Sequence, residues 1–558
     1  MKVKYFTLAA ALFCGACQNA AEQDAQKDAT VFTNGTIITM DPQNPIASQL
    51  IIQGDKISAL KYPEDDFKIS DRSSANIVDL GGRTILPGII DSHVHVRELG
   101  MDAVKADLVG VKNTAQIVDR LKQRFPNPNP GQWLIGQGWD EGIFASIGYP
   151  DRAELDEAFP NNPVKLESLH GFGGFYNGAA LAIAEIDKAT PEPEVGNILR
   201  RENGEPTGVM LTLAQDLVNR HVPAPTQTQL EEAISAGLYK MAKAGVTSVH
   251  EAGMTPQDVA AFKALAERDE LPIRVYGMLD GNDGPLMKHW FATGPLDDPQ
   301  DFLDIRGVKV FYDGSLGSRT ALMAAPYSDQ PDKANPTERI TPEAVFSLGQ
   351  RSAKYGFQMA VHAIGDEGNN RTLGLYEKAL ETQPPQDHRW RIEHAQVVLP
   401  DFYKRQAALG VIASMQSSHA VGDSKWAEDR VGPDRIRHAY AWQTILDNGG
   451  RLLMNSDLPG EPWEPMETLY FAVNRKPLNA PAEAEGWYME QTLSVPEALK
   501  SMTIENAYGA FQEDNLGSIE PGKWADFIVL DANPMTVPPH LLKDIQVEQT
   551  WVAGRKLN

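Results

Sequence analysis

The sequence predicts an α/β chain: a (β/α)8 TIM barrel that carries a small β-sandwich built from both termini and an inserted cap subdomain. Three observations lead there. Eight short apolar runs recur through the middle of the chain with helical stretches between them, the rhythm of a parallel sheet clad by helices. Both ends are rich in β-type residues and turn signals. After the first apolar run comes a long interval with its own strand and helix signals, punctuated by Pro126-Asn127-Pro128-Asn129-Pro130.

Taken in order, residues 1–29 read as a signal peptide and tether. Met1-Lys2-Val3-Lys4 is basic, and Tyr5 to Phe13 is mostly apolar, the length of a signal-peptide core. That run is far short of the roughly 20 residues a membrane-spanning helix needs. The two cysteines of the chain, Cys14 and Cys17, both lie here. Gly15-Ala16-Cys17 resembles the end of a bacterial lipobox, although Cys14 stands where Leu, Val or Ile is usual. The resemblance implies export and a lipid on Cys17 as the only membrane contact. Gln18 fits an outer-membrane lipoprotein facing the periplasm, in a Gram-negative host; without the lipid the protein would be periplasmic. Ala20 to Ala29 is polar and charged, as a tether should be.

Residues 30–87 and 510–558 form the expected sandwich. Val31 to Met40 and Leu50 to Ile57 are β-rich, with Asn34-Gly35 and Gly54-Asp55 as hairpin signals. Phe527 to Asp531 and Val547 to Val552 answer them at the other end. Between lies the barrel, residues 88–509. Its strand candidates are Thr84–Ile90, Val246–Val249, Ile273–Gly277, Val308–Phe311, Gln358–Val361, Trp390–Ile392, Gly410–Ser414 and Leu452–Met454. Eight strands suit a barrel of about 250 residues with insertions. The insertion is read as about 127–223.

Composition sets limits. Apolar residues make up 42% and charged residues 23%, ordinary for a folded globular chain. A formal charge of −24 excludes the basic footprint that sequence-independent nucleic-acid binding requires.

Chemistry concentrates at the ends of the predicted strands. Asp91-Ser92-His93-Val94-His95 follows the first apolar run, and on an extended segment alternate side chains share a face. His93 and His95 therefore offer two neutral imidazoles to one metal ion. Lys309 sits inside the apolar run Val308–Phe311. A buried lone ammonium is costly, so such a lysine either reaches out to water or loses its charge. A neutral amine can take up carbon dioxide as a carbamate, an oxygen ligand able to bridge two cations. His362 and His394 each stand where an apolar strand stops, the place where TIM barrels put catalytic groups. Asp457 closes the last run.

The order His-x-His, Lys, His, His, Asp resembles the amidohydrolase superfamily. Longer matches point to its amidohydrolase-3 group of YtcJ-like proteins: Gly307–Ala321, His362-Ala363-Ile364-Gly365-Asp366, Arg391–Gln396 and Asn455–Pro459, with Gly136–Asp140 and Gly204–Val209 in the insertion and Gly517–Gly522 near the end. The resemblance covers nearly everything after the tether. It implies that His93, His95 and Asp457 hold one metal, that His362 and His394 hold a second, and that a carboxylated Lys309 bridges them. The cofactor would be one or two divalent ions, zinc first among them. Asp457 would also be the catalytic acid–base. His250, His419, Trp139 and Asp140 are candidate substrate contacts. Two departures bear on substrate: Phe172 stands where a histidine is usual, and Gln416-Ser417-Ser418-His419 replaces a common Gln-Pro-x-His.

The expected activity is metal-dependent hydrolysis of a carbon–nitrogen, non-peptide bond in a small-molecule substrate. The alternatives are hydrolysis of another bond, such as an ester, at the same centre, and a non-catalytic ligand-binding lipoprotein.

Overall fold

The computed structural model describes residues 29–63, 75–140, 144, 148–168, 173–193 and 196–558, with residues 102 and 103 described by their backbone alone. Cys14, Cys17 and Phe172 lie outside the described residues. Two compact units emerge. One comprises the described residues up to Val94 with Met241–Thr255 and Pro272–Asn558; the other comprises the described residues of His95–Lys240 with Pro256–Leu271.

The first unit contains an eight-stranded parallel sheet. Its strands are β1 (Ile89–Val94), β2 (Val246–Met254), β3 (Arg274–Asp280) and β4 (Leu303–Phe311). They continue as β5 (Gln358–Ala363), β6 (Arg391–His394), β7 (Ile412–Gln416) and β8 (Arg451–Asn455). Each strand pairs with the next in sequence, from β1 to β8. The sheet closes where the segment after β8 meets β1: Val94 bridges Leu458, and the Asp457 amide donates to the His93 carbonyl at 3.0 Å. Closure leaves no edge, so the strands can be apolar on both faces.

Intervening helices obey local rules. Pro342–Tyr355, between β4 and β5, has Pro at its first turn, Thr341 accepting from the Ala344 amide, and Gly356 at φ 78° as its left-handed stop. The helix Asp366–Glu381 follows β5, and Phe402–Leu409 follows β6.

The first predicted barrel strand needs correction. Thr84–Ile90 is two strands: Thr84–Pro87 belongs to a terminal sheet, and only from Ile89 does the chain enter the barrel. Gly88 marks the change, since a Cβ there would lie 2.0 Å from Thr247 Oγ1. Continuous hydrophobicity hides such a break.

Both termini build the sandwich. A four-stranded sheet takes Lys56–Lys61, Gln49–Gln53, Thr30–Thr33 and Asn76–Asp79 in that order; a six-stranded sheet has Phe527–Leu530 between Val547–Val552 and Thr84–Pro87. Phe32, Leu50 and Ile52 from one face Ile37, Ile85, Phe527 and Val529 from the other across a shared core. Gly54-Asp55 is a hairpin turn, with Gln53 paired to Lys56. Asn34-Gly35 is not. It passes the chain from one sheet to the other, so Thr30–Thr33 and Thr36–Ile38 pair with different strands.

The second unit is built on a six-stranded sheet running from Asn197–Arg200 through Pro206–Leu211, Gly173–Tyr176, Val164–Ser168 and Leu134–Trp139 to Ala106–Asp107. One apolar cluster gathers Leu108, Ile117, Leu166 and Phe175; a second gathers Tyr176, Leu181, Met210 and Val218. This sheet begins at Ala106, ahead of the Asn127 start read from the sequence. The Pro-Asn-Pro punctuation is a loop within the unit.

Candidate metal centre

The predicted ligands come together at the C-terminal ends of the barrel strands. His93 lies on β1, wholly buried, and Lys309 on β4, 1% exposed. Lys309 Nζ sits 3.1 Å from His93 Nε2. The lysine therefore does not reach out to water. His362 on β5 packs its ring 4.5 Å from that of His394 on β6, and His394 lies 5.2 Å from His93. Asp457 joins them: Oδ1 is 3.5 Å from His93 Nε2, and Oδ2 is 3.8 Å from His394 Nδ1. Donor atoms of His93, His95 and Asp457 all lie within 4.8 Å of one another, as do those of His394, His419 and Asp457.

Backbone geometry explains how neighbours in sequence reach one place. Along β6, Arg391 and Glu393 share a face by strand alternation, and His394 should point away. His394 instead adopts φ 78°, and Asp457 adopts φ 54°, conformations that non-glycine residues rarely take. The left-handed turn at the strand end brings the His394 imidazole into the cluster beside Glu393. Such strain gathers at functional sites.

Hydrogen bonds sort the imidazoles by which nitrogen is available. His93 Nδ1 donates to Glu393 Oε2 at 2.6 Å. His362 Nε2 donates to the Gly314 carbonyl at 3.1 Å, and its buried Nδ1 has no hydrogen-bond partner among the described residues. His394 Nδ1 donates to Gln416 Oε1 at 2.9 Å. In all three, the second nitrogen keeps its lone pair. A buried, unpartnered imidazole lone pair at His362, beside a carboxylate and a buried amine, fits a divalent cation.

The electrostatics agree. Burial, with Lys309 adding to it, lowers His93 to about 4 and His362 to about 3, which keeps both neutral. Burial and the neighbouring His362 hold His394 well below the ordinary range. Burial lowers Lys309 too. Burial alone would raise Glu393; Arg391 and His93 outweigh it and hold the carboxyl well below its usual value. Burial raises Asp91 to about 7 against the hydrogen bonds it accepts from Ser456.

The four candidate substrate contacts fall differently. The His419 side chain is 18% exposed, with Nε2 3.8 Å from Asp457 Oδ2 and Nδ1 accepting from Gln396 at 3.2 Å. His250 is wholly buried and accepts from Arg391 at Nδ1, 2.8 Å away. Trp139 is also wholly buried; its indole N–H donates to the Leu166 carbonyl, and its ring packs on Phe144 and Phe175. These contacts place it in the core of the second unit. Asp140 follows it there, half-buried.

Sequence reasoning assigned no role to Arg391, Glu393, Gln416 or Asn455, all buried beneath the centre. The available signal was two opposite charges, two residues apart, inside an otherwise buried strand.

Comparison with known proteins bears on this geometry. The model of the amidohydrolase family matches residues 76–557. The putative amidohydrolase YtcJ of Bacillus subtilis is 31% identical over 86% of this chain and 89% of its own. An N-substituted formamide deformylase of Arthrobacter pascens is 27% identical over 93% of this chain and 96% of its own. Among solved structures, an uncharacterized metal-dependent hydrolase from Pyrococcus furiosus superposes with a TM-score of 0.73 at 28% identity, covering 91% of this chain and 100% of that one.

Proposed function

The chain belongs to the amidohydrolase family, and from that premise we propose that it hydrolyses a non-peptide carbon–nitrogen bond, an N-acyl or N-formyl amide, at a zinc centre. One observation carries the reading: three imidazole lone pairs, a buried amine and a carboxylate converge at the strand ends, where a barrel enzyme works. The formamide deformylase relative supports the choice of bond.

His93, His95 and Asp457 would hold one ion, and His362 with His394 a second, with Lys309 as a carbamate between them. Bound there, a divalent cation supplies Lewis acidity, drawing the pKa of water towards 7 and polarising a carbonyl. The protein's own groups do the rest. Asp457 has an 18% exposed side chain against 1% for His93, so its carboxylate is open to incoming reactants. It takes the proton of the attacking water and delivers it to the leaving nitrogen. His419, its Nδ1 occupied by Gln396, presents an N–H beside Asp457 and orients the substrate carbonyl oxygen. The buried walls below exclude bulk water.

The test combines metal analysis with a screen of N-acyl amino acids, N-formyl amines and simple esters on metal-loaded protein. Turnover of amides, lost in His93→Ala with the fold retained, is the expected result. Turnover of esters alone would shift the bond assignment. A protein that holds no zinc, manganese or iron would favour a ligand-binding role instead.

We also place the protein outside the cytoplasm as a lipoprotein anchored through Cys17, on the sequence pattern alone. Radiolabelled palmitate should enter the wild type and not Cys17→Ala; equal labelling would sink this assignment.

A further inference from the structure

We infer that Glu393 and Gln416 are positioning residues, joined by a buried chain of hydrogen bonds that sets the tautomers of His93 and His394 together. The inference rests on reading the cluster above as a metal centre.

An ionised carboxylate can only accept hydrogen bonds, so Glu393 Oε2, 2.6 Å from His93 Nδ1, requires the proton on Nδ1. Arg391 holds that carboxylate on both oxygens, Nε to Oε1 at 2.7 Å and Nη2 to Oε2 at 2.9 Å. The same Nη2 donates to Ser414 Oγ at 3.1 Å. Ser414 accepts also from Asn455 Nδ2, at 2.9 Å. Asn455 Oδ1 accepts from Gln416 Nε2 at 2.7 Å, which turns Gln416 Oε1 towards His394 Nδ1 at 2.9 Å. The chain thus runs from His93 to His394 through β6, β7 and β8, and every member is at most 4% exposed.

Its consequence is directional. With Nδ1 engaged on both rings, each Nε2 is left with its lone pair, and neither ring can rotate without breaking a buried bond. A metal ion then meets imidazoles already in the right tautomer. Loss of such an outer partner typically weakens metal binding about 10–100-fold.

The test measures zinc affinity of the full-length protein by competition with a chromophoric chelator. Variants are Glu393→Gln, Gln416→Leu and Gln416→Glu, the last restoring an acceptor for His394. The expected result is a weakening of about 10–100-fold in the first two, with much of the loss recovered in Gln416→Glu. Wild-type zinc affinity in Glu393→Gln and Gln416→Leu would overturn the inference while leaving the metal centre standing. Absence of zinc binding in the wild type would remove both. Should the variants not fold, imidazole nitrogen NMR of the metal-free wild type decides. Nδ1–H tautomers at His93 and His394 support the inference, and Nε2–H tautomers overturn it.

Discussion

At the start of β4, opposite the metal centre, Asp304 carries a carboxyl that burial pushes up to about 7 from 3.8. It accepts from the Asp298 amide at 2.7 Å and from Gln512 Nε2 at 2.7 Å, and nearby Asp301 adds to the upward push. Between those two values the folded chain binds more protons here than the unfolded chain. Stability from this group is therefore complete below about pH 4 and is lost as pH rises through 7. Asn cannot ionise, and the buried Gln512 Oε1, which has no hydrogen-bond partner among the described residues, is available to a rotated amide pair. We expect Asp304→Asn to be more stable than wild type at pH 8, by on the order of 1 kcal/mol, and to lose that advantage at pH 4. Urea midpoints at the two pH values check it; a gain of equal size at both would refute the assignment. Residues of this kind are silent in the sequence, because nothing near Asp304 in the chain announces Gln512.

Among elements, the junction of β1 with the terminal sheet is the most demanding. Gly88 separates Thr84–Pro87 from Ile89–Val94, and Thr247 of β2 fills the space its Cβ would occupy. Gly88→Ala should destabilise the protein by roughly 1–3 kcal/mol, and Thr247→Ala should recover part of the loss by withdrawing the Oγ1 and Cγ2 atoms that such a Cβ would meet. Thermal midpoints of the single and double variants read this, and additive losses would show that the two positions do not interact. The element β6 teaches the complementary lesson. Its residues Arg391-Ile392-Glu393-His394 were legible as a strand ending in a histidine. Periodicity could not say that His394 turns into the site at φ 78°, because an apolar pattern carries no backbone angle.

For the molecule as a whole, two tests follow. Phe527–Leu530 lies inside its sheet, paired on both sides, and Phe527 stacks on Trp551 at 5.4 Å. A chain ending before Phe527 would expose Ile85, Val529's partner across the sheet, and the core behind it. We expect that truncation to be insoluble; a soluble, folded product would show the sandwich to be dispensable. Ligand binding to the native state alone raises stability by mass action, by roughly 3 kcal/mol at 100 times Kd. Chelation should accordingly lower the melting temperature, and zinc should restore it. An unchanged melting temperature would speak against a metal held by the folded state.

Read in one dimension, the chain already shows the eight-strand rhythm, the sandwich shared by the two ends, and, as candidates for the site, His93, Lys309, His362, His394 and Asp457. Local chemistry suffices for these, since apolar runs make strands and a buried lysine or a histidine at a strand end is conspicuous in one dimension. Folding in three dimensions adds where Thr84–Ile90 breaks, that Asn34-Gly35 links two sheets, that Trp139 and His250 are buried, and that Glu393 and Gln416 stand behind the imidazoles. Those outcomes depend on contacts between residues up to hundreds of positions apart, Glu393 with His93 foremost, and barrel closure is what brings such partners within reach.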